Sequence, residues 1–394
     1  MRFAEDYPVP NRNEIREVIR LLSLEAATYL EQLDDRPARS GRVHEALAAF
    51  DEPLPQAGSG AIQALTSLIE EGLDASVATA GPRSFHFVIG GTTPAALGAD
   101  WLTSTLDQMA YAWVASPLAT RLEQISLRWL QEMFGLPRHW QGIMTTGATM
   151  ANFVGLAAAR QWYGEQVGID VAEDGLVGLP DVHLFSSGLI HPSDIKVLSM
   201  LGLGRSSATR FGHEETGEFD LLALEKALQD LDSSPSIIIA IAGEPNAGMF
   251  DPISDLADLA ETYNAWLHVD GAFGLFAALS PEHATLVDGV NRAHSVTVDG
   301  HKWLNVPYDC GFAFVRDAGL MAKTFTHSAE YLPDLSDPEP VLGALAPEMS
   351  RRARSLTVWA TLKAYGVQGV RHMVEQNISL AQYLANLVDD APDL

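Results

Sequence analysis

Two charged residues follow apolar runs of the sequence, and both could take part in cofactor chemistry. Lys302 lies in the segment Asp299–Trp303, directly after the apolar run Ser295–Val298. Asp270 directly follows the preceding apolar run, Trp266–Val269. Ligands of α/β folds bind at the carboxyl ends of parallel strands, so both residues are candidates for a ligand site. A surface lysine and a turn-forming aspartate are the alternative explanation.

A third segment, Thr145–Asn152, combines hydroxyl and small residues before a helical run, Phe153–Tyr163. The free N–H groups and the positive dipole end of a helix start bind anions. A lysine for a Schiff base, an aspartate for a pyridinium nitrogen and a helix start for a phosphate are what pyridoxal 5′-phosphate requires. The three segments together therefore predict a site for this cofactor.

Other common cofactor and metal sites have no support in the sequence. The chain has no GxxxxGK[ST] loop, no GxGxxG, no HExxH and no GxSxG motif. Its single cysteine, Cys310, excludes an internal disulfide and a CxxC metal site. We therefore expect no bound metal.

The elements that must position these residues alternate between short apolar runs and amphipathic helices from Gly142 to Asp317. This alternation is typical of a mostly parallel sheet with helices on both faces, so we predict an α/β fold. The predicted strands are Val182–Phe185, Ala208–Phe211, Ser236–Ala242, Trp266–Val269, Ser295–Val298 and Gly311–Val315.

Helical patterns flank the predicted sheet on both sides. They are Asn13–Leu33, Ala61–Leu73, Pro94–Ala115, Pro117–Phe134, Arg351–Tyr365 and Gly369–Leu387. We predict four regions: an N-terminal helical segment at the dimer interface (1–90), a large cofactor-binding α/β domain (91–330), a short loop region (331–350) and helices that lead into a C-terminal small domain (351–394).

The charge balance limits the partners of the protein. The 394-residue chain has 25 Lys and Arg against 51 Asp and Glu, a formal net charge of −26. Such an acidic body repels the phosphates of nucleic acids and anionic bilayers, so neither is an expected partner. No signal peptide or membrane-spanning run is evident, and the single cysteine fits a reducing compartment, so we expect a cytoplasmic protein.

Four motifs resemble those of the group II pyridoxal-phosphate-dependent amino acid decarboxylases, which include the aromatic amino acid, tyrosine and glutamate enzymes. The resemblance extends from about Tyr29 to the C-terminus and is strongest toward broadly described bacterial pyridoxal-dependent decarboxylases. The motifs are TTGATMANFVGLAAAR, HVDGAFG, SVTVDGHKWLNVPYDCG and MSRRARSLTVWATLKAYG. The resemblance implies the fold-type I architecture of pyridoxal-phosphate enzymes.

The resemblance also implies a role for individual residues. Lys302 matches the Schiff-base lysine, Asp270 the partner of the pyridinium nitrogen, and His191 the histidine that stacks on the pyridine ring. The remaining cofactor-binding matches surround the phosphate or lie near it: Gly147, Ala148, Thr149, Asn246 and His301. Residues that match the substrate pocket are Phe87, Gly91, Thr92 and Trp113.

By resemblance, the protein is a homodimer whose subunits share their active sites, and its substrate is a small-molecule amino acid. The implied reaction is decarboxylation of an L-amino acid to its amine, through an external aldimine and a quinonoid intermediate. Alternatives left open are another fold-type I reaction (an aminotransferase, aldehyde synthase or lyase), a relative that binds the cofactor without catalysis, and a purely structural dimerisation protein.

The sequence departs from the family pattern in two places. The expected mobile catalytic loop, Pro333–Ser350, is short and has no Tyr or Phe, the residues that govern proton return and aldehyde formation in characterised relatives. The chain ends where a C-terminal small domain is expected to begin, so we expect that domain to be truncated or absent. The identity of the substrate amino acid does not follow from these residues.

Overall fold

A computed structural model of the chain describes residues 12–327, 332 and 339–391. The chain divides into two compact units between Ile89 and Gly90. The predicted loop region 331–350 falls partly outside the described residues, at 331 and 333–338.

The second unit is built on one seven-stranded sheet with the order β1-β7-β6-β5-β4-β2-β3. Neighbouring strands are parallel throughout, except that β7 is antiparallel to both of its neighbours. The strands are β1 Gln141–Thr145, β2 His183–Ser186, β3 Ala208–Arg210, β4 Ser236–Ile241, β5 Ala265–Asp270, β6 Ser295–Asp299 and β7 Gly311–Val315. The predicted α/β class with a mostly parallel sheet is confirmed.

The sheet is covered on both faces. Alternate residues of β4 belong to two different hydrophobic clusters: Ile238 and Ala240 pack in one, whereas Ile237 and Ile239 pack in the other. Because successive side chains of a strand point to opposite faces, both faces of β4 are buried. This explains the apolar, β-branched run Ile237–Ile239 within this strand.

β1 was not among the predicted strands. It pairs antiparallel with β7, from Gln141 opposite Val315 to Thr145 opposite Gly311. Its sequence, Gln-Gly-Ile-Met-Thr, has two β-branched residues but also a glycine, which is depleted in strands, so local propensity gives only a weak sign of a strand. The long-range pairing with β7 determines its conformation.

Helices cover the sheet of the second unit, and three further helices form the described part of the first unit. Those of residues 12–89 are α1 Arg12–Glu31, α2 Val43–Ala48 and α3 Ala61–Ala75. Those of the second unit are α4 Pro94–Leu106, α5 Pro117–Phe134, α6 Ala148–Gln166, α7 Val171–Asp174, α8 Pro192–Met200, α9 Leu221–Asp230, α10 Ile253–Thr262, α11 Ala318–Phe325 and α12 Ser355–Asp389. Short 3₁₀ turns lie at Gly274–Leu279, Ala284–Val287, Val290–Arg292 and Leu342–Ala344.

Two predicted helices have different bounds in the structure. The helix predicted for Pro94–Ala115 begins as expected, with Thr93 as its N-cap, but ends at Leu106. Asp107 there adopts a left-handed conformation (φ 45°). The chain then forms β-bridges from Met109 and Ala112 to distant residues, and these tertiary contacts override the helical pattern.

The two predicted C-terminal helices form the single element α12, which begins at Ser355 rather than Arg351. The element is broken at Gly366, whose φ of 60° and ψ of −175° are not helical. A glycine tolerates this conformation because it has no Cβ atom. No helix among the described residues is both long and apolar enough to span a bilayer.

Candidate active site

The ends of β5 and β6 bring Asp270 and the turn that carries Lys302 to one edge of the sheet. The two strands are parallel neighbours, with Asp270 opposite Thr297. Beyond the strands, the N–H of Asp299 donates to the carbonyl of Ala272 at 3.0 Å. The two charged residues therefore occupy the position at which parallel sheets bind their ligands.

Lys302 lies at this edge of the sheet, beside Asp299 and partly exposed to solvent. Its Nζ lies 3.2 Å from Oδ2 of Asp299, and 19% of its side chain is exposed. The backbone of Gly90 packs on the same turn and donates to the carbonyl of His301 at 3.1 Å. A Cβ atom at Gly90 would overlap the carbonyl oxygen of Lys302, so only glycine fits here. The amine is thus accessible on a well-supported turn.

Asp270 is buried and fixed by two donors. Its Oδ2 accepts from the side-chain amide of Asn152 at 2.8 Å, and its Oδ1 accepts from the N–H of Ala272 at 3.0 Å. Hydrogen bonds to the charged form favour an ionised carboxylate. Such a carboxylate is the group that a protonated pyridine nitrogen needs.

Behind Asp270, a chain of buried side chains orients Asn152. Nε1 of Trp266 donates to Oγ of Ser295 at 2.9 Å, and this hydroxyl lies 2.7 Å from Nδ1 of His268. Nε2 of His268 lies 3.1 Å from Oδ1 of Asn152. Burial lowers the pKa of His268 to about 4, against the opposing effect of Asp270, so this ring is neutral at pH 7. A neutral ring that accepts at Nδ1 and donates at Nε2 satisfies every link.

The start of α6 forms the candidate phosphate cradle. Gly147 has φ +134°, and a Cβ atom there would lie 2.8 Å from Cε1 of His301. The N–H of Ala148 donates to Oδ1 of Asp299 at 2.6 Å. The N–H of Thr149 has no acceptor among the residues that the structure describes. Because Gly147 has no side chain, a phosphate can approach the backbone here, and the N–H of Thr149 at the helix start can donate to it. Both features fit the phosphate of pyridoxal 5′-phosphate.

His301 lies beside this cradle, as its predicted role requires. Its Nδ1 accepts from the N–H of Cys310 at 3.2 Å, and its ring stacks on Tyr308 with centroids 4.2 Å apart. Its Nε2 lies 3.5 Å from Oδ1 of Asp299. Burial lowers the pKa of His301, although Asp299 opposes this effect. The Nε2 of a neutral ring can donate one hydrogen bond here.

His191 is the N-cap of α8. Its Nδ1 accepts from the N–H of Ser193 at 3.2 Å and lies 2.6 Å from the Ser193 hydroxyl. His191 lies close enough to Glu244 to interact with it electrostatically. Burial raises the pKa of Glu244, but the N–H groups of Ala247 and Asn246 lower it more, and the net direction is downward. An ionised Glu244 therefore lies near the predicted ring-stacking histidine.

Asn246, a predicted cofactor ligand, is exposed and engaged with Glu244. Its backbone N–H donates to Oε1 of Glu244 at 2.7 Å, and its side-chain amide donates to the same oxygen. The structure thus directs its polar groups toward Glu244, and no cofactor role is needed to explain their orientation.

The residues predicted to line the substrate pocket are divided between the two units. Gly91 and Thr92 are half-buried in the segment that follows Gly90 and precedes the Thr93–Asn305 backbone hydrogen bond. Trp113 is half-buried, and its N–H donates to the carbonyl of Pro340. Phe87 belongs to the first unit, with 95% of its surface exposed.

Three arginines that follow the expected loop are all paired with carboxylates. Arg351 binds Glu123 at 2.7 Å, and both side chains are buried. The other two pairs are Arg352 with Asp100 at 2.6 Å and Arg354 with Asp309 at 2.8 Å. Their guanidinium groups are therefore already bound to carboxylates of the protein.

Sequence reasoning missed four polar residues of the site: Asn152, Asp194, His268 and Asp299. All four lie inside motifs that were singled out, or within three residues of His191. The available signal was a polar residue within an apolar strand or at a helix start, because a buried polar group needs a hydrogen-bond partner. Which partners they meet depends on how α6, α8 and β5 pack together.

Proteins of one enzyme family match most of this chain. The sequence model of the pyridoxal-dependent decarboxylase conserved domain matches residues 44–393. The chain is 31% identical over 348 residues to the aromatic-L-amino-acid decarboxylase of Bacillus atrophaeus, covering 87% of this chain and 70% of that protein. It is 30% identical over 316 residues to the acidic amino acid decarboxylase GADL1 of Bos taurus, covering 78% of this chain and 60% of that one.

Solved structures show the same fold. Mouse CSAD in its apo form superposes with a TM-score of 0.85 at 26% identity and covers 96% of this chain and 80% of that chain. Oryza sativa TDC with PLP and tryptamine superposes with a TM-score of 0.88 at 24% identity, covering 98% and 81%. The predicted family, the cofactor pyridoxal 5′-phosphate and the carboxy-lyase class are confirmed. The chain belongs to the pyridoxal-dependent decarboxylase family.

Proposed function

We propose that this protein decarboxylates an L-amino acid to its amine, with pyridoxal 5′-phosphate bound through Lys302. The observation that carries the proposal is the juxtaposition of a lysine amine, a doubly hydrogen-bonded carboxylate and a helix start at one edge of the sheet. The family match supports the same reaction. The bound cofactor supplies an aldehyde that condenses with amines and a ring that accepts an electron pair.

Each residue has a defined task in this proposal. Lys302 provides the amine that anchors the cofactor and is afterwards free to carry a proton. Asp270 keeps a proton on the ring nitrogen, because an opposite charge favours the charged form of its partner. Gly147, Ala148 and Thr149 present backbone groups to the phosphate, with His301 beside them. His191 covers the ring face and fixes its orientation.

Orientation decides which bond breaks. Pocket residues that hold the substrate in one orientation would favour loss of its carboxylate over loss of its α-proton, and such positioning can supply about 7–11 kcal/mol of the barrier in the ideal case. We assign the walls that fix the substrate to Gly91, Thr92 and Trp113. The half-buried positions of Gly91, Thr92 and Trp113 support this assignment.

The preferred substrate has a single carboxylate. Arg351, Arg352 and Arg354 are each paired with a protein carboxylate, so none is available to bind a second one. The relatives divide by name into aromatic and acidic amino acid decarboxylases. Because these three arginines are already paired, we favour an aromatic amino acid rather than an acidic one as the substrate of this chain.

We further propose a cytoplasmic homodimer with shared active sites. Apolar side chains of α1 remain about half exposed within the first unit, among them Ile15, Ile19 and Leu24. Apolar stripes of this kind mark interfaces. The net charge of −26 opposes association at low salt, so the interface must be apolar.

Borohydride trapping tests the function. The protein is loaded with pyridoxal 5′-phosphate, reduced and digested, and the labelled peptide is mapped. We expect the label on Lys302 and loss of the visible cofactor band in Lys302→Ala, with Lys226→Ala as the matched control. A panel of amino acids then measures CO₂ and amine together. A label on another lysine, or turnover without CO₂, would refute the proposal.

A further inference from the structure

The polar side chains behind Asp270 lie on one face of the sheet and are joined by continuous hydrogen bonds. Trp266, His268 and Asp270 alternate along β5, so all three point to the same face. Ser295 lies opposite His268 on β6. Asn152 of α6 completes the set, and all five side chains are buried. We call these five residues the Asp270 network.

The two ends of the Asp270 network fix the direction in which its hydrogen bonds run. At one end, the indole of Trp266 can only donate, and it donates to Oγ of Ser295 at 2.9 Å. At the other end, an ionised Asp270 can only accept, and its Oδ2 accepts from Nδ2 of Asn152 at 2.8 Å. The residues between these ends can each donate and accept, so they follow the direction that the ends impose.

Each intermediate residue then has a single arrangement of its protons. Because Nδ2 of Asn152 points to Asp270, its Oδ1 faces His268 and accepts from Nε2 of that ring at 3.1 Å. Burial lowers the pKa of His268 to about 4, so the ring carries one proton at pH 7. Nδ1 is therefore unprotonated and accepts from the hydroxyl of Ser295 at 2.7 Å. Every hydrogen bond of the network is thus donated toward Asp270.

The packing of α6 holds the ring of His268 in place. Gly155 lies three residues after Asn152, on the same side of the helix. A Cβ atom at Gly155 would lie 2.8 Å from both Cε1 and Nδ1 of His268, and 3.1 Å from Oγ of Ser295. A glycine inside a helix costs stability relative to alanine, and the close approach of the imidazole explains its presence here.

His294 borders the Asp270 network on the side of Trp266. Its ring stacks on the indole with centroids 5.1 Å apart, and its Nδ1 accepts from the N–H of Leu267 at 3.0 Å. Burial lowers the pKa of His294 to about 4, so it is neutral at pH 7. On α8, burial raises the pKa of Asp194 well above its ordinary value, and the charge of Asp270 raises it further. At pH 7 the charge of the network therefore resides on Asp270.

We propose that His268 and Ser295 are positioning residues: through Asn152 they orient the carboxylate that meets the cofactor ring nitrogen and favour its ionised form. Hydrogen bonds donated in one direction polarise one another, so the earlier donors strengthen the last one, from Asn152 to Asp270. The identity of the group that Asp270 meets rests on the proposed function. The direction of the hydrogen bonds is a property of the protein alone.

Nuclear magnetic resonance of the apoprotein tests that direction without cofactor. In protein with isotope-labelled histidine, long-range proton–nitrogen correlations distinguish a protonated ring nitrogen from an unprotonated one. We expect His268 to show a protonated Nε2 and an unprotonated Nδ1 at pH 7, with its signals identified by their absence from His268→Gln. A proton on Nδ1, with or without one on Nε2, would overturn the proposal.

Two substitutions of His268 separate a positioning role from a packing role. Glutamine has both an acceptor and a donor, so His268→Gln can keep the direction of the network, whereas His268→Leu removes both groups. We expect the cofactor dissociation constant to rise about tenfold in His268→Leu, the effect of a weakened hydrogen bond to a charged group. The pH at which the visible cofactor band changes should shift in the same variant. His268→Gln should stay close to the wild type in both measurements, and equal effects of the two substitutions would refute positioning.

Ser295→Ala provides a milder test with a matched control. It removes the donor to Nδ1 of His268 and the acceptor of Trp266. Ser236→Ala is the control, because Ser236 is also a buried serine at the start of a strand, but its hydroxyl has no hydrogen-bond partner in the described part of the chain. We expect weaker cofactor binding and a shifted cofactor titration in Ser295→Ala alone. A wild-type titration in Ser295→Ala, or the same change in Ser236→Ala, would contradict the proposal even if His268→Leu does not fold.

These measurements separate the positioning role from the proposed function. If borohydride labels a lysine other than Lys302, the proposed function fails, whereas the protonation of His268 in the apoprotein still decides the direction of the network. If Lys302 is labelled and Nδ1 of His268 carries a proton, the function stands and the positioning role fails.

Discussion

The side-chain amide of Asn152 donates to Asp270 across 2.8 Å and thereby joins the first turn of α6 to the end of β5. The same residue accepts from the ring of His268 through its other amide atom. Asn152 thus links the neutral histidine to the candidate cofactor carboxylate by hydrogen bonds. Its two hydrogen bonds use both ends of the amide, the carbonyl oxygen as acceptor and the NH₂ group as donor.

Replacing Asn152 by alanine should therefore weaken the fold and the site together. The change leaves the buried His268 donor without its partner, at about 1–3 kcal/mol per unsatisfied group. We expect a urea midpoint lowered accordingly and weaker cofactor binding, measured by spectral titration. Gln166→Ala at the exposed end of α6 is the control; equal losses in both variants would contradict the specific role.

Asp270→Asn should preserve the fold and remove most activity. The amide is isosteric but carries no charge to stabilise a protonated ring nitrogen, and removal of one preorganised electrostatic group costs about 10²–10³ in kcat. Steady-state amine formation measures the loss, and thermal unfolding of the apoprotein confirms that the fold persists. Turnover near the wild-type rate would show that another group serves the ring nitrogen.

Cofactor affinity should depend on the ionisation of Asp299. This carboxylate accepts a hydrogen bond from the N–H of Ala148, a donor that we propose for the phosphate. Burial raises the pKa of Asp299, although Lys302 and His301 oppose this shift. As pH rises through that raised pKa, the ionised form increasingly repels phosphate, so affinity falls. Asp299→Asn should flatten this profile in cofactor titrations between pH 5 and 9. A profile unchanged in the variant would remove Asp299 from the phosphate site.

The buried pair Arg351–Glu123 should matter for stability rather than for substrate binding. Arg351 also donates to the carbonyls of Ala110 and Met144, so it ties three segments together. Arg351→Met leaves Glu123 as an uncompensated buried charge, and we expect about 3–5 kcal/mol lower unfolding free energy in denaturant melts. The exposed pair Arg138–Glu132 is the control, since Arg138→Met should have almost no effect. A comparable loss there would undermine the argument from burial.

The proposed dimer is tested by sedimentation and by complementation. We expect twice the chain mass at micromolar protein, with tighter association as added salt screens the net charge of −26. Mixing Lys302→Ala with an inactive Trp113 variant should restore some activity if the subunits share their sites. A fully active monomer would refute the dimer, and a dimer without complementation would refute the shared site alone.

The sequence predicted the parts of the fold that local patterns control. The buried run in β4 and the Thr93-Pro94 helix start are recognisable from residue type and spacing alone. β1 and the early end of α4 were not recognised, because pairing with β7 and bridges from Met109 and Ala112 determine them.

The candidate site divides in the same way. The positions of Lys302 and Asp270 at strand ends follow from the α/β pattern, and the structure places both there. The contacts of Asn152 with Asp270 and His268 could not be predicted, because they join α6 to β5 across a packing contact that no local spacing encodes.

The two edges of the sheet also bear on how the protein avoids aggregation. Exposed strand edges recruit strands from other chains unless they are short, charged or covered. β3, at one edge, has only three residues and ends in the exposed Arg210, while four of the five residues of β1, at the other, are buried. Neither edge is a good template for cross-chain β-pairing, so self-association is directed away from sheet extension.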